Sequence, residues 1–395
     1  MAVIKRVRLS EIAELVTKGT TPTTLGYEFQ DTGVNFLKIE CFSEKGDYIQ
    51  NKATHISEEC HEKLKRSQLK EGDILFSIAG VIGRVAIVTR NMLPANINQA
   101  LAIIRIKKDD IYLPYVKLIL TSPLIKKQFE RKKQGVAQLN ISLKDINELE
   151  IPLPEIGKQI EYANSFKKVE KLIYTRQYQL QKLDELVKAR FVEMFGDPDR
   201  NPMNWETAEL KHHLEIVGGF AFRSDGFTGS GIPVLRIGNI NSGRFLPVNM
   251  VFWPEDSSLA RYKIHPGDLV MSLTGTVGKN DYGNVCILSD EYPEYYLNQR
   301  NAKLAIKATL NKHYLSEILK FSSVKKRLTG ISRGVRQANI SNGDILTLCV
   351  PIPPITLQEQ FAAFVEQTCK SKVAVQKSLD EAQLLFDSLM QQYFG

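Results

Sequence analysis

A long internal repeat constrains the fold of this chain more than any other feature of its sequence. Gln134–Pro154 reads QGVAQLNISLKDINELEIPLP and Arg333–Pro353 reads RGVRQANISNGDILTLCVPIP, with 11 of 21 aligned positions identical at a constant offset of 199. Chance does not produce such a match between unrelated segments. Because the period is far longer than that of a solenoid repeat, the chain carries two copies of a domain rather than an array of small units.

Shorter matches extend the repeat over both halves of the chain. Glu71–Arg84 matches Pro266–Lys279 at an offset of 195, and Asn98-Gln99 matches Asn298-Gln299 at an offset of 200. Since the offset changes from match to match, the copies differ in loop length within a common framework. The 395 residues therefore resolve into two copies of about 200 residues each, and one copy is within the usual size of a domain.

Each copy begins with short segments that are rich in β-branched and apolar residues, separated by Gly, Asn and Asp, as is typical of short strands. The predicted strands are Val34–Ile39, Asp73–Ile78, Arg84–Val88 and Leu101–Ile106 in the first copy, and Pro233–Ile237, Asp268–Leu273, Asn284–Leu288 and Lys303–Ile306 in the second. Ser122-Pro123 predicts a helix start, because Ser is a common N-cap and Pro a common first helical residue.

A long amphipathic helix closes each copy. The two helices are predicted over about 155–195 and about 356–393, with apolar or long side chains at alternating steps of three and four, as in a coiled-coil seam. The residues predicted to pack in this seam are Val169, Ile173, Leu180, Leu183, Val187, Val375, Leu379, Ala382, Phe386 and Leu389. Since such a helix needs a partner for its apolar stripe, we expect the two to pack antiparallel.

These elements predict an α+β fold. Two duplicated globular domains, each a twisted, mainly antiparallel sheet with short helices, are expected to be separated by two long antiparallel coiled-coil helices in a pseudo-twofold arrangement. The predicted segments are the first globular domain at 1–154, the central helix at 155–196, a linker at 197–205, the second globular domain at 206–353 and the C-terminal helix at 354–395.

Basic residues are concentrated at equivalent places in the two copies. The net charge is +8, and residues 101–150 hold 10 Lys and Arg against 6 Asp and Glu, while residues 301–350 hold 9 against 2. Lys and Arg neutralise phosphates, and Arg, Gln and Asn read base edges. The predicted DNA-binding residues in these blocks are Lys126, Lys127, Arg131, Lys132, Lys133, Gln134, Lys325, Lys326, Arg327, Arg333 and Arg336. A solvated helix face is the alternative interpretation of either block alone.

Contacts that read a DNA sequence are predicted where the copies differ, because domains with different targets need different side chains. Thr20–Thr24 differs from Phe220–Ser224, and Glu40–Lys45 differs from Gly238–Arg244. The base-reading candidates of the second copy are Arg223, Arg236, Asn239, Asn241 and Arg244. The residues that are identical in both copies, Gln138 with Gln337 and Asn140 with Asn339, are instead predicted to be structural turn or cap residues.

Two glycine-containing segments end in a basic residue, Arg84 in the first copy and Lys279 in the second. The second, Thr274-Gly-Thr-Val-Gly-Lys279, departs from a P-loop because Leu273 stands where the first Gly is required. A tight turn between strands is the first interpretation of both segments. The second interpretation is a basic side chain that faces a DNA phosphate.

The sequence contains no recognisable catalytic motif. It has no Gly-x-Gly-x-x-Gly loop and no methyltransferase tetrad, and its six histidines and five scattered cysteines lack metal-ligand spacing. No apolar run approaches the length of about 18 residues that a membrane span needs, and no signal peptide is evident. We therefore expect a cytoplasmic protein with no membrane association.

A combination of motifs carries a family resemblance. Two motifs recur in both copies: Gly-Asp-Ile-Leu at 72–75 with Gly-Asp-Leu-Val at 267–270, and Asn-Ile-Ser at 140–142 and 339–341. Gln159 and Gln358-Glu359-Gln360 stand near the starts of the two long helices. Phe-Gly-Asp-Pro at 195–198 precedes the second copy. With the duplicated layout, they cover the whole chain, which resembles the specificity subunits of type I restriction-modification systems.

The resemblance implies that each globular unit is a target-recognition domain for one half of a bipartite, asymmetric sequence in double-stranded DNA. It also implies that the helices set the spacing and dock two DNA methyltransferase subunits, joined by restriction (translocase) subunits. No cofactor is expected on this chain, since S-adenosylmethionine, ATP and Mg²⁺ would be bound by partners. Two alternatives stay open: a stand-alone DNA-modifying or DNA-cleaving enzyme, and a helical scaffold that does not bind DNA.

Overall fold

A computed structural model describes residues 5–107, 110–131, 140–241, 243–277, 279, 281–330 and 337–395. The chain divides into two compact units. The first unit consists of Met1–Gln177 with Lys377–Gly395, and the second unit is Tyr178–Gln376.

The first unit contains short strands and helices and parts of both long helices. Its strands are β1 (Arg6–Arg8), β2 (Ala13–Lys18), β3 (Val34–Leu37), β4 (Thr54–Ile56), β5 (Ile74–Ser77), β6 (Val85–Ile87), β7 (Ala95–Ile97), β8 (Leu101–Ile106) and β9 (Glu150–Pro152). The helices in this part of the sequence are α1 (Leu9–Ile12), α2 (Glu58–Lys63), α3 (Leu113–Leu120), α4 (Pro123–Arg131), α5 (Leu143–Asn147) and α6 (Ile156–Phe195).

A four-stranded antiparallel sheet, in the order β2-β8-β5-β6, forms the centre of the first unit. Ile74 and Phe76 of β5 pack in one cluster with Tyr115 of α3, whereas Leu75 packs in another with Leu37 of β3. Because successive strand residues point to opposite faces, this sheet is buried on both sides, which explains the unbroken apolar runs of its strands. A second sheet has the order β4-β3-β7, and β3 and β7 run parallel.

The second unit repeats this construction. Its strands are β10 (Thr207–Glu209), β11 (Leu214–Gly218), β12 (Ile232–Leu235), β13 (Val251–Trp253), β14 (Lys263–Ile264), β15 (Leu269–Ser272), β16 (Thr274–Thr276), β17 (Val285–Ile287), β18 (Tyr295–Leu297), β19 (Asn301–Ile306), β20 (Gln337–Asn339) and β21 (Cys349–Pro351). The helices in this part of the sequence are α7 (Lys312–Lys320), α8 (Ser322–Thr329), α9 (Asn342–Leu346) and α10 (Ile355–Phe394).

The central sheets of the two units have the same strand order, and the second sheet of the second unit has one additional strand, β14. Its central antiparallel sheet runs β11-β19-β15-β17, and its second sheet runs β13-β12-β18-β14 with β12 and β18 parallel. The strands predicted from the sequence all occur, within a few residues of their expected ends. The prediction missed the other strands of both units, among them β2 and β11, which pair along the edges of the central sheets.

The repeated Gly-Asp pair builds a turn before the central strand of each unit. Gly72 and Gly267 have φ values of +87° and +86°, a left-handed conformation that favours glycine. Asp73 then accepts two hydrogen bonds of 2.7 Å from the Arg105 guanidinium, and Asp268 lies 2.8 Å from the Lys303 ammonium. The motif is therefore part of the framework.

The repeated Asn-Ile-Ser motifs lead into capped helices, in which the cap is the serine and not the predicted asparagine. The Ser142 hydroxyl accepts from the backbone N–H of Asp145 at 3.1 Å, and Ser341 does the same for Asp344 at 3.1 Å. Each Asp carboxylate in turn accepts from the backbone N–H of its Ser. This reciprocal capping box satisfies amide groups that a helix start leaves without partners.

In the first unit, α6 and α10 pack antiparallel. Phe166 contacts Phe386 with ring centroids 5.4 Å apart, and farther along α6 the guanidinium of Arg176 donates to the Ser378 hydroxyl at 3.0 Å. A higher residue number on one helix thus meets a lower number on the other. The seam prediction is confirmed here for the residues that share one apolar cluster: Val169, Ile173, Leu379, Ala382, Phe386 and Leu389.

In the second unit, the remaining parts of these helices also pack antiparallel. Lys372 lies 2.6 Å from the Asp184 carboxylate, and Phe361 contacts Phe191 with centroids 5.5 Å apart. Val187 is buried in the core of this unit, as predicted. The other predicted seam residues of this stretch are half-buried: Leu180, Leu183 and Val375.

Each long helix ends in an aromatic core. Phe195, the last residue of α6, packs on Tyr314 in the second unit with ring centroids 4.8 Å apart. Phe394, the last residue of α10, packs on Tyr115 in the first unit with ring centroids 6.1 Å apart. The sequence division into globular domains and helices did not anticipate that each compact unit contains parts of both long helices. Within the described residues, no helix is both long and apolar enough to cross a membrane.

Candidate nucleic-acid interface

In the first unit, one end of the central sheet gathers segments that are far apart in the sequence. The antiparallel order brings the end of β2, the start of β8, the end of β5 and the start of β6 to the same edge. The parallel strands β3 and β7 both end there, since the N–H of Asn98 donates to the Leu37 carbonyl at 3.3 Å. We call this end the loop edge of the first unit; it comprises residues 19–24, 38–45, 78–84 and 98–100.

The second unit has an equivalent loop edge, formed by the described residues among 219–224, 236–250, 273–284, 298–300 and 337–340. The N–H of Leu273 donates to the Arg300 carbonyl, and the N–H of Ile340 donates to the Leu273 carbonyl, both at 2.8 Å. Strand β16 also pairs with β20. The chain that follows the second basic block is therefore fixed at the loop edge.

Close backbone contact holds the first loop of each edge in place. A Cβ atom at Gly19 would lie 1.9 Å from the Ile97 carbonyl oxygen, and a Cβ atom at Gly219 would lie 2.3 Å from the backbone of Asn298. Only glycine allows this approach. The segments in which the two copies differ follow strands that end at the loop edges: Thr20–Thr24 and Glu40–Lys45 follow β2 and β3, and Phe220–Ser224 and the described residues among 238–244 follow β11 and β12.

In the first basic block, α4 is an amphipathic helix whose apolar side faces the core. Ile125 and Phe129 are buried, whereas Lys126 and Lys127 are exposed. Gln128 fixes the helix, because its amide donates to the Glu150 carbonyl at 2.8 Å and accepts from the Glu150 N–H at 3.0 Å. The other predicted contacts of this block lie outside the described residues: Lys132, Lys133, Gln134 and the side chain of Arg131.

In the second basic block, α8 has the same arrangement but uses its charges differently. Lys326 is exposed, whereas Lys325 is half-buried and donates to the Asn284 side-chain oxygen at 2.7 Å. Burial lowers the pKa of Lys325. Arg327 donates to the Cys349 carbonyl at 2.9 Å, which makes it the structural counterpart of Gln128. Arg333 and Arg336 lie outside the described residues.

The basic residues that end the two glycine-containing segments lie in different surroundings. Arg84 is half-buried, and its guanidinium donates to the backbone carbonyls of Ile39 at 3.2 Å and Phe42 at 2.8 Å. Its side chain therefore supports the loop edge, and a contact of Arg84 with a phosphate stays a prediction. Lys279 is exposed at the loop edge of the second unit.

The base-reading candidates of the second copy also separate into groups. Arg223 and Arg244 are exposed. Asn239 is 2% exposed, and its amide nitrogen donates to the Leu246 and Val248 carbonyls, both at 3.0 Å. Its role is therefore to hold the loop together, which corrects the prediction of a base contact.

Arg236 and Asn241 lie in the same loop and are half-buried. The guanidinium of Arg236 donates to the Asn249 carbonyl. Its Nε and the side-chain oxygen of Asn241 are buried polar atoms without a partner among the described residues. Buried polar atoms in this state carry an energetic cost, which a ligand or a water molecule relieves.

Sequence reasoning missed Arg300 as a candidate contact. It is exposed at the loop edge of the second unit, directly after the repeated Asn298-Gln299 pair. The equivalent residue of the first unit is Ala100, so this position differs between the copies inside an otherwise shared motif. This difference between the copies was the sequence signal that could have identified Arg300 as a candidate contact. Among the residues that the structure describes, no group of His, Cys, Asp or Glu side chains is arranged to hold a metal ion.

Known proteins share both the sequence pattern and the fold. A family model described as "Type I restriction modification DNA specificity domain" matches residues 3–185 and again residues 202–382. The specificity subunit of the type I restriction enzyme MjaVIII from Methanocaldococcus jannaschii is 26% identical over 271 residues, which cover 64% of this chain and 62% of that protein. The EcoBI specificity subunit from Escherichia coli is 32% identical over 131 residues, which cover 33% of this chain and 27% of that protein.

A solved structure extends the fold likeness to the full chain. The crystal structure of a type I restriction-modification S subunit from M. genitalium superposes with a TM-score of 0.59 at 14% identity, covering 100% of this chain and 97% of that one. At this identity the likeness concerns the fold. The two family-model matches together span most of the sequence, and the chain therefore belongs to the type I restriction-modification DNA specificity family.

Proposed function

We propose that this chain is the DNA sequence-specificity subunit of a type I restriction-modification complex, in which each unit reads one half of a bipartite, asymmetric target. The observation that carries this proposal is the pair of loop edges. Both lie at the same end of a central sheet with the same strand order, yet their side chains differ, as exposed Arg300 and its equivalent Ala100 illustrate. A shared framework with different surface residues suits two related domains that read different bases.

Affinity and sequence reading are assigned to different residues. Exposed Lys126, Lys127 and Lys326 project from helices and act on the phosphate backbone, which contributes affinity without sequence information. Exposed Arg223 and Arg300 lie at the loop edge, and Arg is the commonest bidentate partner of guanine in the major groove. The sequence is read at the loop edges.

The long helices set the distance between the half-sites and dock two DNA methyltransferase subunits. Large apolar side chains are exposed on both helices, since Tyr174, Val373 and Leu384 are 61%, 71% and 71% exposed and thus available to a partner. Restriction subunits join the same complex.

The chain performs no chemistry itself in this proposal. S-adenosylmethionine, ATP and Mg²⁺ are bound by the partner subunits, and this chain selects where they act. Incubation of the chain alone with DNA, Mg²⁺ and S-adenosylmethionine tests this point. Methyl transfer or cleavage by the isolated chain would instead identify it as an enzyme.

The decisive binding experiment compares a base-reading residue with a phosphate-binding residue. The methylation sites of the host genome first give the target sequence, and duplexes with that sequence or a scrambled one are then titrated with the chain and its methyltransferase subunit. Arg300→Ala should weaken binding to the target by roughly tenfold or more and leave the scrambled duplex unaffected. Lys326→Ala should weaken binding to both duplexes and reduce the slope of log affinity against log salt by about one.

Binding that is weak and insensitive to salt and sequence, even with the methyltransferase subunit, would contradict the proposal. Such a result would favour a helical scaffold that does not bind DNA.

A further inference from the structure

The loop edges of the two units differ in the hydrogen-bonding groups that they offer to DNA bases. The loop edge of the second unit contains four arginines: Arg223, Arg236, Arg244 and Arg300. The loop edge of the first unit contains one, Arg84, and its guanidinium donates to two backbone carbonyls. The first unit therefore needs side chains other than arginine to read its half-site.

Glu40 is an exposed carboxylate at the loop edge of the first unit. It makes no hydrogen bond or ion pair with the residues that the structure describes. At the offset of 198, which aligns Leu37-Lys-Ile39 with Leu235-Arg-Ile237, the equivalent residue is Gly238. Glu40 thus lies in a segment in which the copies differ, and its charge has no counterpart at that position of the second unit.

The backbone around Glu40 is held on both sides. The Arg84 guanidinium donates to the carbonyls of Ile39 at 3.2 Å and of Phe42 at 2.8 Å, so its two acceptors flank Glu40 in the sequence. The side chains of Cys41 and Phe42 are buried in the core of the first unit. An exposed side chain on a fixed backbone loses less conformational freedom when it binds, which favours specific recognition.

A carboxylate at a DNA surface needs a donor on a base. It only accepts hydrogen bonds, and it is repelled by the phosphates. The donors in the major groove are the amino groups of cytosine and adenine, and adenine places its N7 acceptor beside the amino group. Cytosine has no acceptor there. We propose that Glu40 reads the N4 amino group of a cytosine in the half-site of the first unit, an inference that rests on the proposed function.

The two units then read bases by opposite hydrogen-bond chemistry. Arg223 and Arg300 of the second unit donate to a guanine, whereas Glu40 of the first unit accepts from a cytosine. A G·C pair is thus recognised from its guanine in one half-site and from its cytosine in the other.

The test uses the full chain with its methyltransferase subunit and duplexes that carry the sequence found at the methylation sites of the host genome. Exchange of residues 206–353 for those of another family member shows which half the first unit reads, because that half should not change. Each cytosine of that half, on either strand, is then replaced in turn by thymine, with adenine opposite, which puts an acceptor in place of the amino group. At one position the wild-type chain should bind about tenfold or more weakly after the replacement.

Glu40→Gln separates base reading from charge. It should weaken binding to the target about three- to tenfold, because a charge-assisted hydrogen bond is lost, and it should reduce the discrimination at that position to about twofold or less. It should bind a scrambled duplex up to about threefold more tightly, since a charge that repels phosphates is removed. The control is Glu62→Gln, at an exposed position of α2, which follows the end of β4 away from the loop edge. This variant should keep the wild-type discrimination.

Three results would overturn the assignment of Glu40 and leave the proposed function intact. The first is that Glu40→Gln tightens binding to target and scrambled duplex alike, because the carboxylate then only repels phosphates. The second is unchanged discrimination at every cytosine of the half-site. The third is a half-site of the first unit that contains no G·C pair. If the wild-type complex binds the target no better than the scrambled duplex, the proposed function itself fails, and the role of Glu40 fails with it.

Discussion

Repeat-equivalent residues make the same contacts where the chain builds its framework. Gln159 and Gln358 are almost fully buried, and each donates to a proline carbonyl five residues before it, at 2.8 Å and 2.7 Å. Each also accepts from a backbone N–H at the start of a neighbouring helix, that of Tyr112 or Asn311. A buried amide that is satisfied on both sides fixes where a long helix begins, so these positions tolerate little change.

The two Gly-Asp pairs differ in burial, and this predicts a difference in stability. The Asp73 side chain is fully buried beneath Arg105, whereas the Asp268 side chain is 20% exposed beside Lys303. Asp73→Asn removes the fully buried carboxylate that the 16% exposed Arg105 side chain pairs with, and it should lower the free energy of unfolding by about 3 kcal/mol. Asp268→Asn should lower the free energy of unfolding by about 1 kcal/mol or less. Calorimetric unfolding of both variants checks this order, and equal losses would contradict it.

His313 makes the stability of the second unit sensitive to acid. Burial, and to a lesser extent Lys312, lowers the pKa of His313, although Glu366 and Glu317 oppose this shift. Below a pH of about 6.5 the unfolded chain takes up the proton before the folded chain does, so stability is lost as the pH falls through this range. Urea unfolding at pH 7 and pH 5.5 should show this loss. His313→Gln should reduce it, and His265→Gln, at an exposed position, should not.

At the scale of elements, the aromatic ends of the long helices close the cores of the units. Phe394 is 2% exposed and lies 6.1 Å from Tyr115 and 5.9 Å from Phe166, measured between ring centroids. Phe195 takes the corresponding place near Tyr314 and Phe361 in the second unit. The last turn of each helix is therefore part of a hydrophobic core and not a frayed end.

Removing one of these aromatic ends should weaken one unit selectively. Phe394→Ala creates a cavity in the first unit and should lower the free energy of unfolding of that unit by about 3 kcal/mol, with little effect on the stability of the second unit. Phe195→Ala should do the reverse. Hydrogen exchange resolved by segment measures both effects, and Tyr174→Ala, at a 61% exposed position of α6, serves as the control. Equal loss of protection in both units after Phe394→Ala would refute this assignment.

The elements could be predicted from the sequence to different extents. The apolar runs of β5 and β8 and the three-four spacing of α6 and α10 were sufficient, because burial on both faces or on one stripe leaves a direct pattern. Strand β2 was missed because its alternation is weak, with Glu14 and Thr17 among its residues. The contacts of Arg84 with two backbone carbonyls could not be predicted either, because the carbonyls lie more than 40 residues away in the sequence.

At the scale of the whole molecule, duplication explains how one chain presents two different surfaces. Each unit has its own central sheet, its own loop edge and its own basic helix. The framework residues repeat, while the exposed residues of the loop edges differ. Changes in the exposed residues of one loop edge need not disturb the core of either unit. Under the proposed function, we expect each half of the DNA target to change independently of the other.

Exchange of a single domain tests this independence. Residues 206–353 are replaced by the equivalent segment of another family member, which leaves α6 and α10 and thus the helix packing of this chain in place. The methylated sequence, read across the genome of a host that carries the hybrid and its methyltransferase subunit, should change in one half only, with the other half and the gap length unaltered. Reinsertion of the chain's own residues 206–353 should restore the original site. A change in both halves would refute the division into independent recognition units, because it would mean that bases are read by surfaces to which both units contribute.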